Sequence, residues 1–572
     1  MSTSQVSPPA SPLLSQVEQI KAQLTGTGAP FECITVDVNG HQHLAYRNAF
    51  PNLPALINAG RAHAAREFMV YENDRWTFER FFQAVDALAA HLQHTLGLRP
   101  GDRVAIAMRN RPEWAVAFAA IALIGAIPSP LNSYGLHDEL MANMLALEPK
   151  LLICDPDRFT RIQSNLDRLK CKAVVVDGEA QQGDLSWPLL LQPSNSAHTS
   201  PKLEASDPAL VLFTSGASSQ AKAVLSSQLA VCQALFNIDF IGAISAMTSP
   251  KAIELMMAKG LQPTTLTAVP LFHVSGLHAQ FLTALRHGRR LVFMHRWDPK
   301  QAISLIQKEK ITQFNGAPSM VMQLLAEPNF NDPEFTGSLG GVGFGGAGLP
   351  QRIIDEMLAK RANSMSGIGY GLTETNGVGA AASGQLFQQA PQSAGMTSPI
   401  VEIKVVDLEG TEVAMGMEGE IWLRGVSLMA GYLNSEGEQG LGLSQGWLKT
   451  GDIGRLEQGG LLRIVDRIKD VINRAGEKIA AAEIESCLLQ HPNLLEAAVF
   501  SQPDPITGEA VVAVVVIAPN AKLSPEEVKQ HVASRLSAYK VPQQVHIQTE
   551  SMPKNPAGKL LKNSLKLVYV KA

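Results

Sequence analysis

A single lysine in a run of small and hydroxyl side chains can grip a polyanion. Phe213-Thr-Ser-Gly-Ala-Ser-Ser-Gln-Ala-Lys-Ala223 has that form, with Thr214, Ser215, Gly216 and Ser218 ahead of Lys222 and the apolar run PALVLF before them. Backbone N–H groups, hydroxyls and one ammonium together suit phosphate oxygens. The segment departs from a strict P-loop: Gly216 is followed by Ala221-Lys222-Ala223, without the second glycine or the final metal-binding hydroxyl. Taken alone, a polar strand-to-helix turn explains it equally well. Three later segments carry complementary groups. Gly369-Tyr-Gly-Leu-Thr-Glu374 offers an aromatic ring for a base and a carboxylate for a cation, Thr450-Gly-Asp452 a carboxylate for a ribose, and Pro553-Lys-Asn-Pro-Ala-Gly-Lys559 an isolated lysine for a phosphate. Each alone is more often turn chemistry or a solvated charge. Together, in this order, they point to nucleotide chemistry.

Gly341-Val-Gly343-Phe-Gly345-Gly346 satisfies G-x-G-x-x-G to the letter. A dinucleotide site would require a helix opening inside the motif and an acidic residue about 20 positions on. Neither is present. The glycines run into Ala347-Gly348-Leu349-Pro350, and Pro350 suits the first turn of a helix over QRIIDEMLAK.

These residues must be positioned by a large fold. The chain has 572 residues, 45% hydrophobic and 17% charged, enough for several buried cores and more than one domain. Its formal charge of -4 leaves no basic excess for a polyanion, which excludes a nucleic-acid binder held by phosphate contacts. Five scattered cysteines, Cys33, Cys154, Cys171, Cys232 and Cys487, form no C-x-x-C pair and suggest neither a disulfide framework nor a zinc site. The N-terminus lacks the basic and apolar regions of a leader, and no run of about 18 apolar residues is uninterrupted, so no transmembrane segment and a cytoplasmic location are expected.

Helical patterns such as Thr77 to His94 alternate with the β-rich runs RVAIAM, LLIC and AVVVD, which predicts α/β layers around largely parallel sheets. Near the C-terminus EAAVFSQPD, AVVAVVVIAP and VHIQ read as strands, and LSPEEVKQHVASRL carries a Ser-x-x-Glu capping signal into a helix. The expectation is a large N-terminal domain over 31–466, built from layered α/β subdomains, and a smaller mobile C-terminal α+β domain over 467–572. The Ser-, Pro- and Gln-rich residues 1–30 have little to bury and are expected to form a flexible tail.

With these motifs in hand, the chain resembles the acyl-adenylate-forming superfamily, which includes acyl-CoA synthetases, luciferases and peptide-synthetase adenylation domains. The likeness runs from about Thr77 to Lys559. It rests on FTSGASSQAK, Pro270-Leu-Phe-His-Val-Ser-Gly276, Gly345-Gly-Ala-Gly-Leu349, YGLTE, Gly419-Glu-Ile-Trp-Leu-Arg-Gly425, Trp447-Leu-Lys-Thr-Gly-Asp452, Asp466-Arg-Ile-Lys-Asp470, Gly476 and PKNPAGK. The resemblance implies that ATP and a carboxylic acid give an acyl-adenylate, which a thiol then attacks. It places residues 214–222 on the β- and γ-phosphates, Thr373 on the α-phosphate and Glu374 on Mg2+. It sets Tyr370 with Gly345, Gly346 and Ala347 against adenine, and Asp452 and Arg467 at the ribose. It puts Lys559 between carboxylate and α-phosphate, His273 beside the acyl group, Lys469 at a hinge, and Gly476 at the CoA tunnel once the C-terminal domain has rotated. Where the family commonly reads T-S-G-T-T-G-x-P-K-G, this chain reads T-S-G-A-S-S-Q-A-K-A, so Ser219 and Ala223 stand where glycine is usual.

The run Arg467-Ile-Lys-Asp-Val-Ile-Asn-Arg-Ala-Gly-Glu-Lys478 resembles CoA ligases more than carrier-loading domains, and PFECITVDVNGHQHLAYRNAFPNL resembles the lead-in of bacterial fatty-acid or steroid acyl-CoA synthetases. That implies an acyl-CoA synthetase acting on an apolar carboxylic acid with ATP, CoA and Mg2+, with a homodimer as one assembly open to it. The alternatives are a non-catalytic AMP- or acyl-adenylate-binding homologue, suggested by the altered loop, and a ligase that loads a carrier protein. Fatty, aryl and sterol side-chain acids all fit.

Overall fold

The computed structural model describes residues 11–177, 186–214, 221–345, 351–361, 363–377, 379–433, 439–440, 442–556 and 558–570. Buried apolar strands organise the large domain. Arg103–Ala107, Ile127–Pro130, Leu151–Cys154 and Lys172–Val175 pair in parallel, and their near-continuous burial reflects a sheet covered on both faces. A 13-stranded sheet carries the parallel run Thr264–Thr267, Gln313–Gly316, Gly341–Gly345 and Gly367–Tyr370 at its centre, and turns antiparallel from Ala380–Ser383 onward. A third sheet pairs Pro208–Phe213, Ala223–Ser227, Gly431–Leu433 and Gln439–Gly440 antiparallel.

The C-terminal domain has its own core, starting at Ile472 and including Ile484, Val499, Val511, Val515 and Val528. Leu494–Asp504, Gly508–Ile517 and Gln544–Gln548 are its expected strands, and Ser524 makes the capping box for helix Pro525–Ala533. The α/β architecture with a smaller α+β domain is therefore the one the sequence predicts. The strand Leu461–Arg467 and the turn Ile468–Asp470 join the two domains.

One expectation needs correction. Within the predicted tail, Pro12–Thr25 is a helix, capped by Ser11 Oγ, which accepts from Leu14 N–H at 3.3 Å. Leu13, Val17 and Ile20 recur at i, i+4 and i+7, so even a polar composition yields one apolar stripe, and all three are buried in the core of the large sheet. The helix also leans on the turn after Leu448–Glu457: a Cβ at Gly459 would lie 2.6 Å from Leu14 Cδ1. Gln228–Thr248 is long and apolar enough to cross a membrane, but half of its most apolar window is buried inside the fold. It is a core helix, held by Gln233, which accepts from the Tyr46 backbone N–H at 2.8 Å and donates to the Tyr46 carbonyl at 2.9 Å.

If the N-terminal helix is part of the fold, Ile20→Ala should cost about 2–4 kcal/mol through lost burial and the cavity left behind. Calorimetric melting should show a lower midpoint for the large domain, with the exposed Gln19→Ala as an unchanged control.

Candidate active site

Gly341–Gly345 is a strand, which disposes of the dinucleotide reading. Its glycines permit close packing: a Cβ at Gly343 would lie 2.2 Å from Asn315 Oδ1, and one at Gly345 3.0 Å from the Gly369 carbonyl. Gly345 pairs with Gly369, and Tyr370 follows at the carboxyl end of the neighbouring strand. Ligands of open parallel sheets bind at such ends.

From there the Tyr370 hydroxyl donates to Asp452 Oδ2 at 2.9 Å, while Arg467 Nε stands 3.0 Å from Oδ1. Asp452 and Arg467 are opposite residues of paired strands, so strand register sets their meeting. The turn before Asp452 is pinned: Gly451 N–H donates to Glu420 Oε1 at 3.1 Å, and Asp452 N–H to Thr450 Oγ1 at 3.0 Å. Burial and the adjacent carboxylate push the Tyr370 pKa well above the usual phenol value, so it remains a neutral donor. A buried carboxylate with a neutral and a cationic partner is suited to vicinal hydroxyls.

Thr373 and Glu374 lie in the tight turn Thr373–Thr375, after which Asn376 takes a left-handed conformation at φ 54°. Glu374 Oε1 accepts the Tyr432 hydroxyl at 2.9 Å; among the described residues Oε2 has no hydrogen-bond donor. Thr214 and Lys222 close the loop between them. Thr214 N–H donates to the Lys222 carbonyl at 2.9 Å, and Lys222 N–H to Thr214 Oγ1 at 3.1 Å. The Lys222 ammonium lies 4.7 Å from the centre of the Tyr432 ring. Ala223 begins a strand with no positive φ, so alanine there is unstrained. Ser215, Gly216, Ser218, Gly346 and Ala347 lie outside the described residues.

Lys559 approaches from the C-terminal domain. Its loop is closed by Lys559 N–H on Asn555 Oδ1 and Asn555 N–H on the Lys559 carbonyl, both 2.8 Å. Ser319 of the large domain donates to the Gly558 carbonyl at 3.0 Å. A Cβ at Gly558, whose φ is 81°, would lie 2.6 Å from Ala317 Cβ, so glycine allows the loop to seat. The neighbouring Lys554 and Lys562 pair with Glu496 and Glu485, whereas Lys559 has no ion-pair partner among the described residues. Burial, with the Arg467 and Lys469 cations nearby, lowers its pKa to about 8.

His273 is half-buried beside Phe272, and its Nε2 has no partner among the described residues. Burial lowers its pKa to about 4, leaving a neutral imidazole. Lys469 is exposed in the interdomain turn. Gly476 is not drawn into this convergence: it sits in an exposed turn at φ 88°, with nothing within 4 Å of a Cβ built there. A cavity of about 250 Å³ lined by Thr35, Gln42, His43 and Glu402 lies elsewhere and contains none of these residues. No group of three or more His, Cys, Asp or Glu among the described residues could hold a metal. A single carboxylate with one open oxygen still fits Mg2+, which keeps several waters and takes further oxygens from substrate phosphates. Tyr432 escaped the sequence reading. The signal available was the G-Y pair after GEIWLRG, whose meaning depends on strand pairing.

A large α/β domain whose smaller C-terminal partner brings Lys559 toward Asp452 and Arg467, near the ends of a parallel sheet, has the architecture of the adenylate-forming class. The chain belongs to the AMP-binding enzyme family: the family's model matches residues 56–433, and that of the AMP-binding enzyme C-terminal domain matches 483–559. It is similar to a probable CoA ligase, CCL5, of Humulus lupulus, at 30% identity over 86% of this chain and 87% of that one. It is also similar to 4-coumarate–CoA ligase 2 of Oryza sativa subsp. japonica, at 29% identity over 84% and 85%. Among solved structures it resembles the o-succinylbenzoate CoA synthetase of Bacillus subtilis in complex with its acyl-adenylate intermediate, at 26% identity and TM-score 0.73, covering 91% of this chain and 98% of that one. The chain is an AMP-forming acid–thiol ligase.

A lysine with a pKa near 8 loses charge in mildly alkaline solution. The kcat/KM for ATP in adenylation, which reports the free enzyme, should therefore fall as pH rises through about 8. In Lys559→Arg that fall should shift to higher pH, whatever the absolute rate. A pH profile of pyrophosphate release checks both.

Proposed function

We propose that this ligase activates an apolar monocarboxylic acid with Mg·ATP and passes the acyl group to CoA, in a reducing cytoplasm that suits its unpaired thiols. The observation that carries the reading is the seating of the Lys559 loop against Ser319, which brings Lys559 toward Asp452 and Arg467. In the first step a substrate carboxylate oxygen attacks the α-phosphorus, the P–O bond to pyrophosphate breaks, and a mixed anhydride forms. Lys559 stabilises charge on the attacking carboxylate and the α-phosphate, and Lys222 stabilises charge on the departing phosphates. Asp452, Tyr370 and Arg467 orient the nucleoside. Glu374 supplies the carboxylate for Mg2+, which neutralises phosphate charge when bound. In the second step the CoA sulfur attacks the acyl carbon, the thiol proton is lost, and AMP leaves with the bonding electrons.

On the acyl side, the neutral His273 and the small residues of Phe314-Asn-Gly-Ala-Pro-Ser-Met320 favour an uncharged chain or ring. Relatives named for 4-coumarate, an aromatic monocarboxylate, support the same class. A panel of fatty, aryl and steroid side-chain acids, read by pyrophosphate release and then by acyl-CoA formation, tests the proposal. AMP binding without turnover of any acid would defeat it in favour of a binding protein, and acyl transfer only to carrier phosphopantetheine would replace CoA as acceptor.

Lys559→Ala should slow adenylate formation at least about a hundredfold, and leave thioester formation from supplied acyl-adenylate within about threefold, because its charge serves the first transition state. Gly558→Ala should show the same bias more weakly, since its methyl obstructs seating of the loop. Single-turnover assays of the two half-reactions test both, and equal loss in both steps would refute the division.

A further inference from the structure

We propose that Tyr432 is a positioning residue that fixes the Glu374 carboxylate and the Lys222 ammonium relative to each other, so that Mg2+ and the phosphates are received by one rigid unit. This rests on the reading in which Glu374 meets Mg2+ and Lys222 meets the phosphates.

Strand register sets the arrangement. Val224 and Tyr432 are opposite residues of an antiparallel pair, so their side chains share a face. Lys222, two residues before Val224, falls on that face as well. The Lys222 ammonium therefore lies over the Tyr432 ring, 4.7 Å from its centre, and the hydroxyl at the far end of the ring donates to Glu374 Oε1 at 2.9 Å. The backbone repeats the connection: Met429 N–H donates to the Glu374 carbonyl and Ala430 N–H to the Leu225 carbonyl, each at 2.8 Å. Residues 429–432 thus clip the strand leaving the phosphate loop to the turn that carries the metal carboxylate.

The ring also separates two opposite charges. Lys222 and Glu374 form no ion pair within 4.0 Å among the described residues, so each keeps capacity for its own ligand. Tyr432 takes only Oε1, which orients the carboxylate and leaves Oε2 for the cation. Burial and the Glu374 charge hold the phenol well above its ordinary pKa, so it stays a donor. The ring has little room to move: a Cβ at Gly442 would lie 2.4 Å from Tyr432 Cε2.

Tyr432→Phe keeps the ring beneath Lys222 and its packing while removing the donor. Calorimetric titration of the full-length protein with ATP plus Mg2+, ATP plus EDTA, and AMP should show Mg·ATP weakened by about tenfold, the size expected for one hydrogen bond to a charged group. AMP and metal-free ATP should stay within about twofold, because Tyr370 and Asp452 are untouched. Gly442→Ala, which displaces the ring, should reproduce the selective loss. Equal weakening of all three ligands in Tyr432→Phe would make the tyrosine a packing residue and overturn the proposal, as would unchanged Mg·ATP affinity while the wild type remains Mg2+-dependent. A wild-type protein that binds AMP but whose ATP affinity ignores Mg2+ would instead remove Glu374 from the metal role, and the proposal with it.

Discussion

The rest of the site depends on one buried carboxylate. Asp452 is almost wholly enclosed, and an ionised carboxylate at such a position is tolerable only when its oxygens are met by donors. Tyr370 and Arg467 meet them, one from the end of a central strand of the large sheet and the other from the last residue before the interdomain turn. The pair thus ties together the sheet end, the strand turn after Thr450 and the start of the interdomain turn. Arg467 ends the strand that pairs with Asp452, so this part of the site is built on the large domain's sheet.

Around Lys222 the site is built differently, from short segments tied together by hydrogen bonds. Thr214 and Lys222 exchange backbone and hydroxyl hydrogen bonds to close the loop, and the strand starting at Ala223 carries it into the small antiparallel sheet. A glycine at 223 would add conformational freedom without meeting any need for positive φ. The departure from the family's usual loop is neutral at that position, and the retained lysine is placed by the strand that follows it.

Much of this was legible in the sequence where the signal is local. The motifs around Tyr370, Asp452 and Lys559 are contiguous, and each folds into a turn or strand end that presents its functional group. The strands of the C-terminal domain and the Ser524 cap were equally plain because alternation and capping are short-range. The misses have one cause. The N-terminal helix hid its three-residue apolar stripe in a polar composition, and only the partner surface around Phe240 and Ile244 gives that stripe a use. Tyr432 is an ordinary strand residue until pairing sets it between Lys222 and Glu374, which lie 210 and 58 positions away. No window of sequence contains that relation.

The two half-reactions make a final demand on the fold. In the proposed mechanism Lys559 serves the first beside the α-phosphate and CoA must then reach the acyl carbonyl, so the contacts that seat Lys559 have to be favourable yet reversible. Helix Ala481–Leu488 begins after Ala480, which has no side chain able to cap it. Asp466, from the strand entering the interdomain turn, accepts the Ala482 N–H at 3.3 Å and takes that part. The Ser319 to Gly558 hydrogen bond is the matching contact at the loop. Bonds of this kind contribute about 0.5–1.5 kcal/mol each, more with a charged acceptor, which is enough to bias the seating of the C-terminal domain and too little to lock it. The Asp452–Arg467 pair, with Asp452 buried, lies before the interdomain turn, whereas the Asp466 and Ser319 contacts to the C-terminal domain are single hydrogen bonds.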